Sequence, residues 1–389
     1  GSGFKKALWQ IGCVIGLIQH MTGEIRRNEG DTVPTTVGGG VSMTFRQPLG
    51  VVLGIGPFNS PFLLTMKKVV PALAAGNSII IKPSEETPLS GLLIADLFDE
   101  AGLPPGVLNV INAAVADVSS ILTEDPRVKA ITFTGSTRTG RLLAESAARG
   151  LKRITLEMGG KGPLIILRDA DLETAVRAAT FGAFLHQGQV CMAGSRVIVD
   201  ASLYDEFCRR FVERAREIKV GSPDQEDTVV GPLIRVSQCT FIAGQIEDAV
   251  SKGAAVGCGG THNGPYFTPT VLTDVTPAMR IYREESFGPV VSVLRAQNRE
   301  DALRIANDTS YGLSAAVMTE NLRDAWYFAQ NIEAGMVHIN DSTISDEAHV
   351  PFGGVKNSGF GREGGRYSME EMTELKWVTF QTGKASFPF

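Results

Sequence analysis

Short, almost wholly apolar segments alternate with amphipathic segments from about residue 50 onward. In the first half of the chain the apolar segments predict strands at Gly50–Pro57, Ser78–Lys82, Val107–Ile111 and Lys129–Phe133. Apolar residues at helical spacing between them predict helices at Pro61–Leu73, Leu89–Ala101 and Thr137–Ala148. Strands that are apolar throughout and are separated by helices are typical of a parallel sheet that is covered on both faces.

The same alternation continues after the glycine pair at 159–160. Strands are predicted at Pro163–Leu167, Arg196–Val199, Val290–Leu294, Ser314–Met318 and Gly335–Ile339. Helices are predicted at Leu172–Leu185, Leu203–Ile218 and Val236–Ser251. We therefore expect an α/β protein with two parallel-sheet domains that join near residues 158–161.

Two segments fit neither block of alternation. Residues 23–47 are rich in β-forming and turn residues, and the tail segment Lys376–Gln381 (KWVTFQ) alternates like a strand. Unpaired strands at the edge of a sheet readily pair with another chain. Both segments are therefore predicted to be edge strands that pair with another subunit.

Composition and charge exclude several classes of function. The net charge of −5 contains no long basic run, which argues against a nucleic-acid partner. No apolar run reaches the roughly 20 residues of a membrane span, so no membrane partner is expected. The five cysteines form no Cys-x-x-Cys pair and the histidines are scattered. These features predict no metal site and free thiols in a reducing, cytoplasmic compartment.

Two polar residues occupy positions that suit catalysis. Cys191 follows a Gly-Gln turn between a predicted helix and a predicted strand, and reactive groups often lie on such loops. Glu157 ends an apolar strand, where poor solvation raises the pKa of a carboxylate toward that of a general base. The local pattern leaves other interpretations open, namely a buried structural cysteine and a carboxylate that accepts backbone amides of the glycine turn.

A third candidate lies at the end of the first predicted strand. Asn59 sits between two prolines in the segment GPFNSP, and prolines stiffen a turn. An amide held there can donate to a developing oxyanion. The alternative is an ordinary turn asparagine.

Two glycine patterns compete as the phosphate-binding loop of a cofactor. Residues 359–364 (GFGREG) match the G-x-G-x-x-G string, but no strand precedes them and no long apolar helix follows. In residues 133–140 (FTGSTRTG) an apolar strand runs into Gly135 and Ser136, and a helix then begins, so backbone amides can meet a pyrophosphate. Lys82 and Glu85, at the end of another strand, either hold ribose hydroxyls or lie in a solvated loop.

Together these segments resemble the aldehyde dehydrogenase superfamily nearly from end to end. The matching motifs follow one another in the order found in the family: PFN at 57–59, KPSE at 82–85, FTGS at 133–136, LEMGGK at 156–161, GQVC at 188–191, EESFGPV at 284–290 and PFGGVKNSGFGREGG at 351–365. Each motif is weak alone, but seven in the same order make a chance match implausible. The resemblance therefore favours the functional interpretation of each motif.

The resemblance implies a role for each catalytic candidate. Cys191 becomes the nucleophile, Glu157 the general base, and Asn59 forms an oxyanion hole together with the Cys191 amide. Lys68 and Glu374 fall where the family has residues proposed to assist proton transfer. The implied reaction is the NAD(P)-dependent oxidation of an aldehyde to a carboxylic acid through a thioester on the nucleophile.

The resemblance also implies a cofactor site and a domain plan. The residues expected at the cofactor are Lys82, Glu85, Gly135, Ser136, Gly159, Glu285 and Phe287. Because a carboxylate at position 85 would repel a 2′-phosphate, NAD is expected rather than NADP, with NADP possible. The expected NAD-binding domain comprises residues 1–22 and 48–158, the catalytic domain 159–368, and an oligomerisation β element 23–47 and 376–389.

Two further expectations follow from the family. The chain begins inside what resembles a family helix, Phe4–Gln19, so the N-terminal part of the family fold is expected to be absent. The oligomerisation element implies a homodimer or homotetramer.

Three segments resemble the branch that oxidises aromatic aldehydes such as benzaldehyde, salicylaldehyde and vanillin: LHQGQVCM, SMTFRQPLGVV and TELKWVTFQ. Phe184, Leu185, Val190 and Met192 lie beside the nucleophile and would suit a planar apolar ring, although ordinary helix packing also explains them. The alternatives are a semialdehyde or aliphatic aldehyde, an acylating reaction with coenzyme A, and a truncated non-catalytic scaffold. Glu157 argues against the acylating reaction, because a hydrolytic base is needed only when water is the acceptor.

Overall fold

Strands and helices alternate along most of the chain in a computed structural model that describes residues 1–36, 40–385, 387 and 389. In chain order, the strands are Gly40–Pro48 (β1), Val51–Ile55 (β2), Ser78–Lys82 (β3), Leu108–Val110 (β4), Val128–Thr134 (β5), Arg153–Glu157 (β6), Pro163–Ile166 (β7), Arg196–Asp200 (β8), Ala255–Cys258 (β9), His262–Asn263 (β10), Tyr266–Phe267 (β11), Thr270–Thr273 (β12), Val290–Ala296 (β13), Tyr311–Gly312 (β14), Ser314–Met318 (β15), Met336–Ile339 (β16), Val355–Lys356 (β17), Gly359–Phe360 (β18) and Thr373–Gln381 (β19).

The helices lie between these strands and before them. In chain order, they are Phe4–Glu24 (α1), Pro61–Ala74 (α2), Pro88–Glu100 (α3), Val115–Glu124 (α4), Thr137–Arg149 (α5), Leu172–Phe184 (α6), Tyr204–Arg216 (α7), Val236–Ser251 (α8), Arg280–Arg283 (α9), Arg299–Asn307 (α10), Leu322–Asn331 (α11) and Gly365–Glu371 (α12). Short 3₁₀ helices at Ile25–Arg27 and Leu185–Gly188 complete the described elements.

The first sheet has six strands in the order β18-β6-β5-β2-β3-β4. Neighbours from β6 to β4 are parallel. Helices α1, α2, α3 and α12 pack on one face around Val52, Ile79 and Ile81, while α5 packs on the other around Leu53 and Ile131. Burial on both faces explains why the strands are apolar throughout, as predicted.

The second sheet has seven strands in the order β16-β15-β7-β8-β13-β12-β9. Its strands are parallel except β9, which runs antiparallel to β12. Alternate residues of β7 face opposite sides: Ile165 packs under α8, α10 and α11, and Leu164 packs under α6 and α7. The predicted α/β architecture with two parallel-sheet units is therefore confirmed.

The chain returns to the first sheet near its end. Gly359 and Phe360 of β18 pair antiparallel with Glu157 and Leu156 of β6, and α12 belongs to the apolar cluster of α1 and α2. The predicted assignment of residues 159–368 as one block is therefore wrong for its last part. The crossing strand is only two residues long, which is why alternation along the sequence does not reveal it.

The two segments that fitted neither block pair with each other. Strands β1 and β19 form an antiparallel ribbon whose register runs from Gly40 opposite Gln381 to Pro48 opposite Thr373. The tail strand begins at Thr373, three residues before its predicted start. Residues 37–39, 386 and 388 of the predicted oligomerisation element lie outside the described residues.

Gly359 gives a test of how β18 is attached. Its φ is +121°, and a Cβ at this position would lie 1.8 Å from the Leu156 carbonyl oxygen. We expect Gly359→Ala to lower the free energy of unfolding by about 2 kcal/mol or more, since backbone strain and a backbone clash combine. Urea denaturation measures the change.

Gly102→Ala is the matched control for this variant. Gly102 has φ +83°, and an added Cβ there would meet nothing within 4 Å. We expect this control to lose only about 1 kcal/mol, because strain acts without a clash. Equal losses in the two variants would contradict the attachment of β18 to β6.

Candidate active site

Four of the predicted site residues lie at one edge of the first sheet. Lys82 and Glu157 are the last residues of β3 and β6, and Asn59 and Gly135 follow β2 and β5. Because these strands are parallel neighbours, their carboxyl ends meet at the same edge. This edge is where open parallel sheets bind ligands.

Cys191 lies on a loop with an unusual backbone. Helix α6 ends at Phe184, and His186, Gln187 and Gly188 follow with φ of 51°, 48° and 68°. Left-handed backbone at residues other than glycine is costly and persists only where the surroundings impose it. Gly188 explains one constraint, since a Cβ there would lie 2.2 Å from the Gly288 carbonyl oxygen. The loop is therefore held against a second segment just before the half-buried cysteine.

Asn59 reaches the same loop from the first sheet. Its Nδ2 donates to the Gln189 carbonyl oxygen at 2.9 Å, two residues before Cys191. Lys6 of α1 fixes this turn by donating to the Asn59 carbonyl oxygen at 2.9 Å and to Ser60 Oγ at 2.7 Å. The buried amide is thus bonded to the loop that carries the cysteine, and its role as an oxyanion donor stays a prediction.

The thiol of Cys191 is protonated at rest. Burial raises its pKa to about 12, the charges of Glu157 and Glu285 raise it further, and the Met192 amide opposes them. A thiol with this pKa needs a base before it can attack.

Glu157 is a buried carboxylate without a hydrogen-bond partner among the described residues. Only 2% of the residue is exposed, and neither Oε1 nor Oε2 has a partner. Burial raises its pKa well above the usual range, and the charge of Glu363 raises it further, while Lys68, Lys67 and Arg362 lower it. A buried polar group left unpaired is rare and costly. Both oxygens are therefore free to bind and deprotonate a water molecule.

Lys68 is joined to a carboxylate that was not predicted. Its Nζ donates to Glu363 Oε1 and to Thr134 Oγ1, each at 2.8 Å, and the lysine is fully buried. Glu363 lies in the GREGG part of the motif at 351–365, so the matched motif already included the glutamate that pairs with Lys68. The sequence alone does not show which glutamate returns to Lys68 across 295 positions.

Glu374 is not part of the site, and its prediction as a proton-transfer residue is wrong. It lies on the exposed ribbon strand β19 and pairs with Arg153 at 3.0 Å. The pairing of β1 with β19 fixes this position, because it sets Glu374 opposite Gln47 on the ribbon. Its solvated carboxylate cannot act on the buried Lys68.

Glu285 lies against the glycine pair that follows Glu157. Its Oε1 accepts the Gly160 amide at 2.9 Å, and a Cβ on Gly159 would lie 2.3 Å from Oε2. Burial raises the pKa of Glu285 to about 7, while the Gly160 amide and Lys161 lower it. Phe287 follows with φ of 46° and packs edge-on against Phe58, with ring centroids 5.8 Å apart.

The other expected cofactor residues surround the start of two helices. Ser136 is the N-cap of α5 and accepts the Thr139 amide at 3.3 Å, while its exposed position leaves the helix start open. Glu85 Oε1 accepts the Val115 amide of α4 at 2.6 Å. Lys82 Nζ donates to the Pro83 carbonyl oxygen at 3.0 Å. The structure thus places one open helix start and a lysine–glutamate pair along the same sheet edge.

An apolar cluster surrounds the cysteine. Val190 and Cys191 pack with Met192, Leu313 and Phe352. Two of the four predicted substrate-facing side chains, Val190 and Met192, are therefore in place.

Phe184 is not at the site. It is 1% exposed and packs in the core of the second unit, with its ring centroid 6.1 Å from that of Phe211. Ordinary helix packing is the correct interpretation of this residue.

Within residues 1–36, 40–385, 387 and 389, no helix is long and apolar enough to cross a membrane. The same part of the chain holds no group of three or more His, Cys, Asp or Glu side chains placed to bind a metal ion.

Comparisons with known proteins give one consistent result. A profile described as "Aldehyde dehydrogenase family" matches residues 1–378. The chain is 45% identical over 385 residues to a benzaldehyde dehydrogenase of Bacillus subtilis, covering 99% of this chain and 79% of that protein. It is 46% identical over 362 residues to a vanillin dehydrogenase of Pseudomonas fluorescens, covering 92% and 75%.

Solved structures agree with these matches. A salicylaldehyde dehydrogenase of Pseudomonas putida, complexed with salicylaldehyde, superposes with a TM-score of 0.96 at 41% identity, covering 98% of this chain and 80% of that one. A betaine aldehyde dehydrogenase of Staphylococcus aureus in complex with NAD⁺ gives 0.97 at 34% identity, covering 100% and 79%. With Glu157 and Asn59 at the edge of the first sheet, with Asn59 bonded to the loop that carries Cys191, and with this match along nearly its whole length, the chain belongs to the aldehyde dehydrogenase family.

Proposed function

We propose that this aldehyde dehydrogenase oxidises an aromatic aldehyde to the carboxylic acid, with Cys191 as nucleophile and NAD as hydride acceptor. The observation that carries the proposal is the meeting of Cys191, Glu157 and Asn59 beside an apolar cluster. Each group comes from a different segment of the chain. A nucleophile, a base and an oxyanion donor in one place are what acyl chemistry on a cysteine requires.

The first step forms a bond between sulfur and the carbonyl carbon. Glu157 is the nearby unpaired base that can take the thiol proton, and the resulting thiolate attacks the aldehyde. The carbonyl oxygen becomes an oxyanion, to which the Asn59 amide and the Cys191 backbone amide donate. The nicotinamide, when bound, supplies the acceptor for the hydride, and a thioester then remains on Cys191.

The second step is hydrolysis of that thioester. Glu157 removes a proton from water, the hydroxide adds to the acyl carbon, and the carbon–sulfur bond breaks to release the acid and regenerate Cys191. The proton that Glu157 takes from the thiol must leave before Glu157 can act on water, and the proton taken from water must leave before the next cycle. Lys68 and Glu363 lie next to Glu157 and influence its pKa, so they are suited to that transfer.

The residues present fit a nicotinamide dinucleotide. Only a glycine at position 159 leaves room for the Glu285 carboxylate, which would face a ribose hydroxyl. The open N-terminus of α5 suits a pyrophosphate, because helix starts present free amides to anions. Glu85, beyond Lys82, would repel a 2′-phosphate, which supports NAD over NADP.

An aromatic substrate is supported by two separate observations. The side chains that pack around Cys191 are apolar and include the ring of Phe352. Relatives at 45% and 46% identity are named as benzaldehyde and vanillin dehydrogenases. A flat apolar ring buries more surface against such a cluster than a short polar aldehyde does.

The residues around Cys191 fit the alternative functions less well than they fit the oxidation of an aromatic aldehyde. An acylating enzyme needs no hydrolytic base, whereas Glu157 is buried and unpaired beside the nucleophile. A semialdehyde or short aliphatic aldehyde would gain less from the cluster around Cys191. A non-catalytic scaffold would have no reason to retain an unpaired buried carboxylate, which lowers stability.

We further propose that the β1–β19 ribbon joins copies of this chain. The ribbon carries exposed apolar side chains along both strands: Val41, Phe45, Leu375, Trp377 and Phe380. By the register of the ribbon, Val41, Phe45 and Phe380 lie on one face and Leu375 and Trp377 on the other. Exposed apolar faces of this kind are typical of interaction sites. Sedimentation velocity should give a dimer or tetramer, and a monomer at micromolar concentration would contradict the proposal.

A cytoplasmic location is the compartment we propose. All five cysteines are described and none forms a disulfide, which suits a reducing environment. Recovery of the protein from an extracellular fraction of intact cells would contradict this location.

An aldehyde panel tests the proposed function. We expect kcat/KM for benzaldehyde to exceed that for acetaldehyde and propanal by about tenfold or more, because burial of a ring contributes about 1.5–3 kcal/mol. The absorbance of the reduced nicotinamide cofactor, followed with NAD and with NADP in parallel, measures the rates. Greater efficiency on the aliphatic aldehydes would contradict the substrate class, and greater efficiency with NADP would contradict the cofactor.

The dependence of turnover on pH tests the role of Glu157. The base acts only when deprotonated, so hydrolysis should rise with pH through the raised pKa of Glu157. Glu363→Gln removes a negative neighbour, lowers that pKa and should move the rise to lower pH. Lys68→Met removes a positive neighbour and should move the rise to higher pH.

Glu374→Gln is the matched control for this pair, since it makes the same change on the exposed ribbon. It should leave the profile of kcat against pH in place. Shifts of the two site variants in the same direction would exclude the electrostatic network described here.

A further inference from the structure

A second lysine–carboxylate pair lies beside the site and, apart from the effect of Lys67 on the pKa of Glu157, has no part in the mechanism above. Lys67 Nζ lies 2.7 Å from Asp346 Oδ1 and 2.6 Å from Oδ2. The two side chains are only 4% and 9% exposed. Removing both charges from water is expensive, and a well-packed apolar pair of the same volume is often at least as stable. The pair therefore calls for a functional explanation.

The pair lies one aromatic ring away from the nucleophile. Lys67 Nζ is 4.3 Å from the centroid of the Phe352 ring. Phe352 belongs to the apolar cluster that includes Cys191. The charge of Asp346 also lies near enough to Cys191 to contribute, after burial, Glu157 and Glu285, to the raised pKa of that thiol. An aromatic ring bound against Phe352, with its aldehyde carbon at Cys191, would direct its far side toward the pair.

Neighbouring lysines of α2 have separate partners. Lys68 pairs with Glu363, whereas Lys67 pairs with Asp346 on the segment that precedes Phe352. Lys67 is thus not needed to neutralise Glu363 by direct contact. Its position along the apolar cluster is consistent with contact to substrate.

The chemistry of the pair selects one kind of ring substituent. An ammonium group only donates hydrogen bonds, and a carboxylate only accepts them. A hydroxyl group does both, so it can donate to Asp346 and accept from Lys67. A carboxylate on the ring would be repelled by Asp346, and a methyl group would desolvate both charges without replacing any hydrogen bond.

We propose that Lys67 and Asp346 determine specificity by binding a hydroxyl group on the far side of the aromatic ring, at its 3 or 4 position. This assignment rests on the proposed oxidation of aromatic aldehydes and names the substrate class within it: hydroxylated benzaldehydes. The pair contacts the substituent and not the reacting atoms. Both residues are therefore specificity-determining and not catalytic.

A purely structural role makes a different prediction. In that case the pair only ties the segment before Phe352 to α2, and its loss would lower activity on all aldehydes equally. The ratio of kcat/KM for a hydroxybenzaldehyde to that for the methylbenzaldehyde of the same substitution separates the two roles. Electronic effects of the substituents on the aldehyde are the same in every variant, so a change in this ratio reports the contact.

The experiment compares the full chain with Lys67→Met combined with Asp346→Leu, which removes both charges and leaves neither unpaired. Hydrogen bonds to charged groups are worth about 1.5–3 kcal/mol, which corresponds to about tenfold or more. We expect the 3- and 4-hydroxy to methyl ratios to fall by at least about tenfold in the double variant. Lys219→Met combined with Asp227→Leu, which removes an exposed lysine–aspartate pair, is the matched control and should keep the original ratios.

Unchanged ratios in the Lys67 and Asp346 double variant would overturn the inference. If this variant does not fold, Asp346→Asn provides the same comparison with nearly the original shape, and it should also lower the ratios. The unchanged chain offers a further test without any substitution. A 3-hydroxyl has little resonance effect on the aldehyde, so equal kcat/KM for 3-hydroxy- and 3-methylbenzaldehyde would also overturn the inference.

Failure of the inference is distinguishable from failure of the proposed function. Efficient oxidation of the hydroxy and methyl compounds alike would leave the aromatic substrate class in place and remove only the roles of Lys67 and Asp346. Slow oxidation of every benzaldehyde, with efficient oxidation of aliphatic aldehydes, would instead contradict the proposed function.

Discussion

The site depends on the burial of one carboxylate, Glu157, to which no group among the described residues donates a hydrogen bond. Its two oxygens lack partners among the described residues, so the fold bears a cost there that packing elsewhere must offset. Burial and the charge of Glu363 favour the protonated form, while Lys68 and Lys67 favour the charged form. This balance produces a base whose proton affinity is far above that of a solvated glutamate.

Several backbone segments converge on Glu157 and hold its carboxylate in this buried position. The residue ends β6, and β18 pairs with it through Gly359, a position that only glycine fits. Gly353 is constrained less tightly, since a Cβ there would lie 2.8 Å from the Gly361 carbonyl oxygen and 2.9 Å from Glu157 Oε1. The nucleophile loop approaches from the second sheet and is linked to the first by the Asn59 amide. The chemistry thus arises where the two sheets meet, and neither sheet contains it alone.

Much of this arrangement could be predicted from the sequence. The apolar strand Ser78–Lys82 was predicted with its observed ends, because buried parallel strands have a strong compositional signal. Helix α4, Val115–Glu124, escaped prediction, since its residues are mostly exposed and mix apolar with polar types. The alternation located Cys191, Glu157 and Asn59 at strand ends or loops, but it left structural interpretations open, and the family resemblance, not the local pattern, favoured their catalytic roles.

The errors have a common physical cause. Glu374 was predicted in place of Glu363, and the crossing of β18 to the first sheet was missed, because both depend on contacts between residues far apart in the chain. Short strands and ion pairs of this kind leave no periodic pattern. The Lys67–Asp346 pair escaped attention for the same reason, since its partners are 279 positions apart.

Intact-mass analysis of the Glu157→Gln variant tests the central claim most directly. An amide of the same shape cannot deprotonate water, so hydrolysis should stop while the acyl group remains on the enzyme. After mixing with benzaldehyde and NAD, once Cys191 has been given time to react at alkaline pH, the account predicts an added mass of one benzoyl group that Cys191→Ala abolishes. A Glu157→Gln enzyme that turns over normally, or that releases benzoate at alkaline pH without accumulating the adduct, would contradict it.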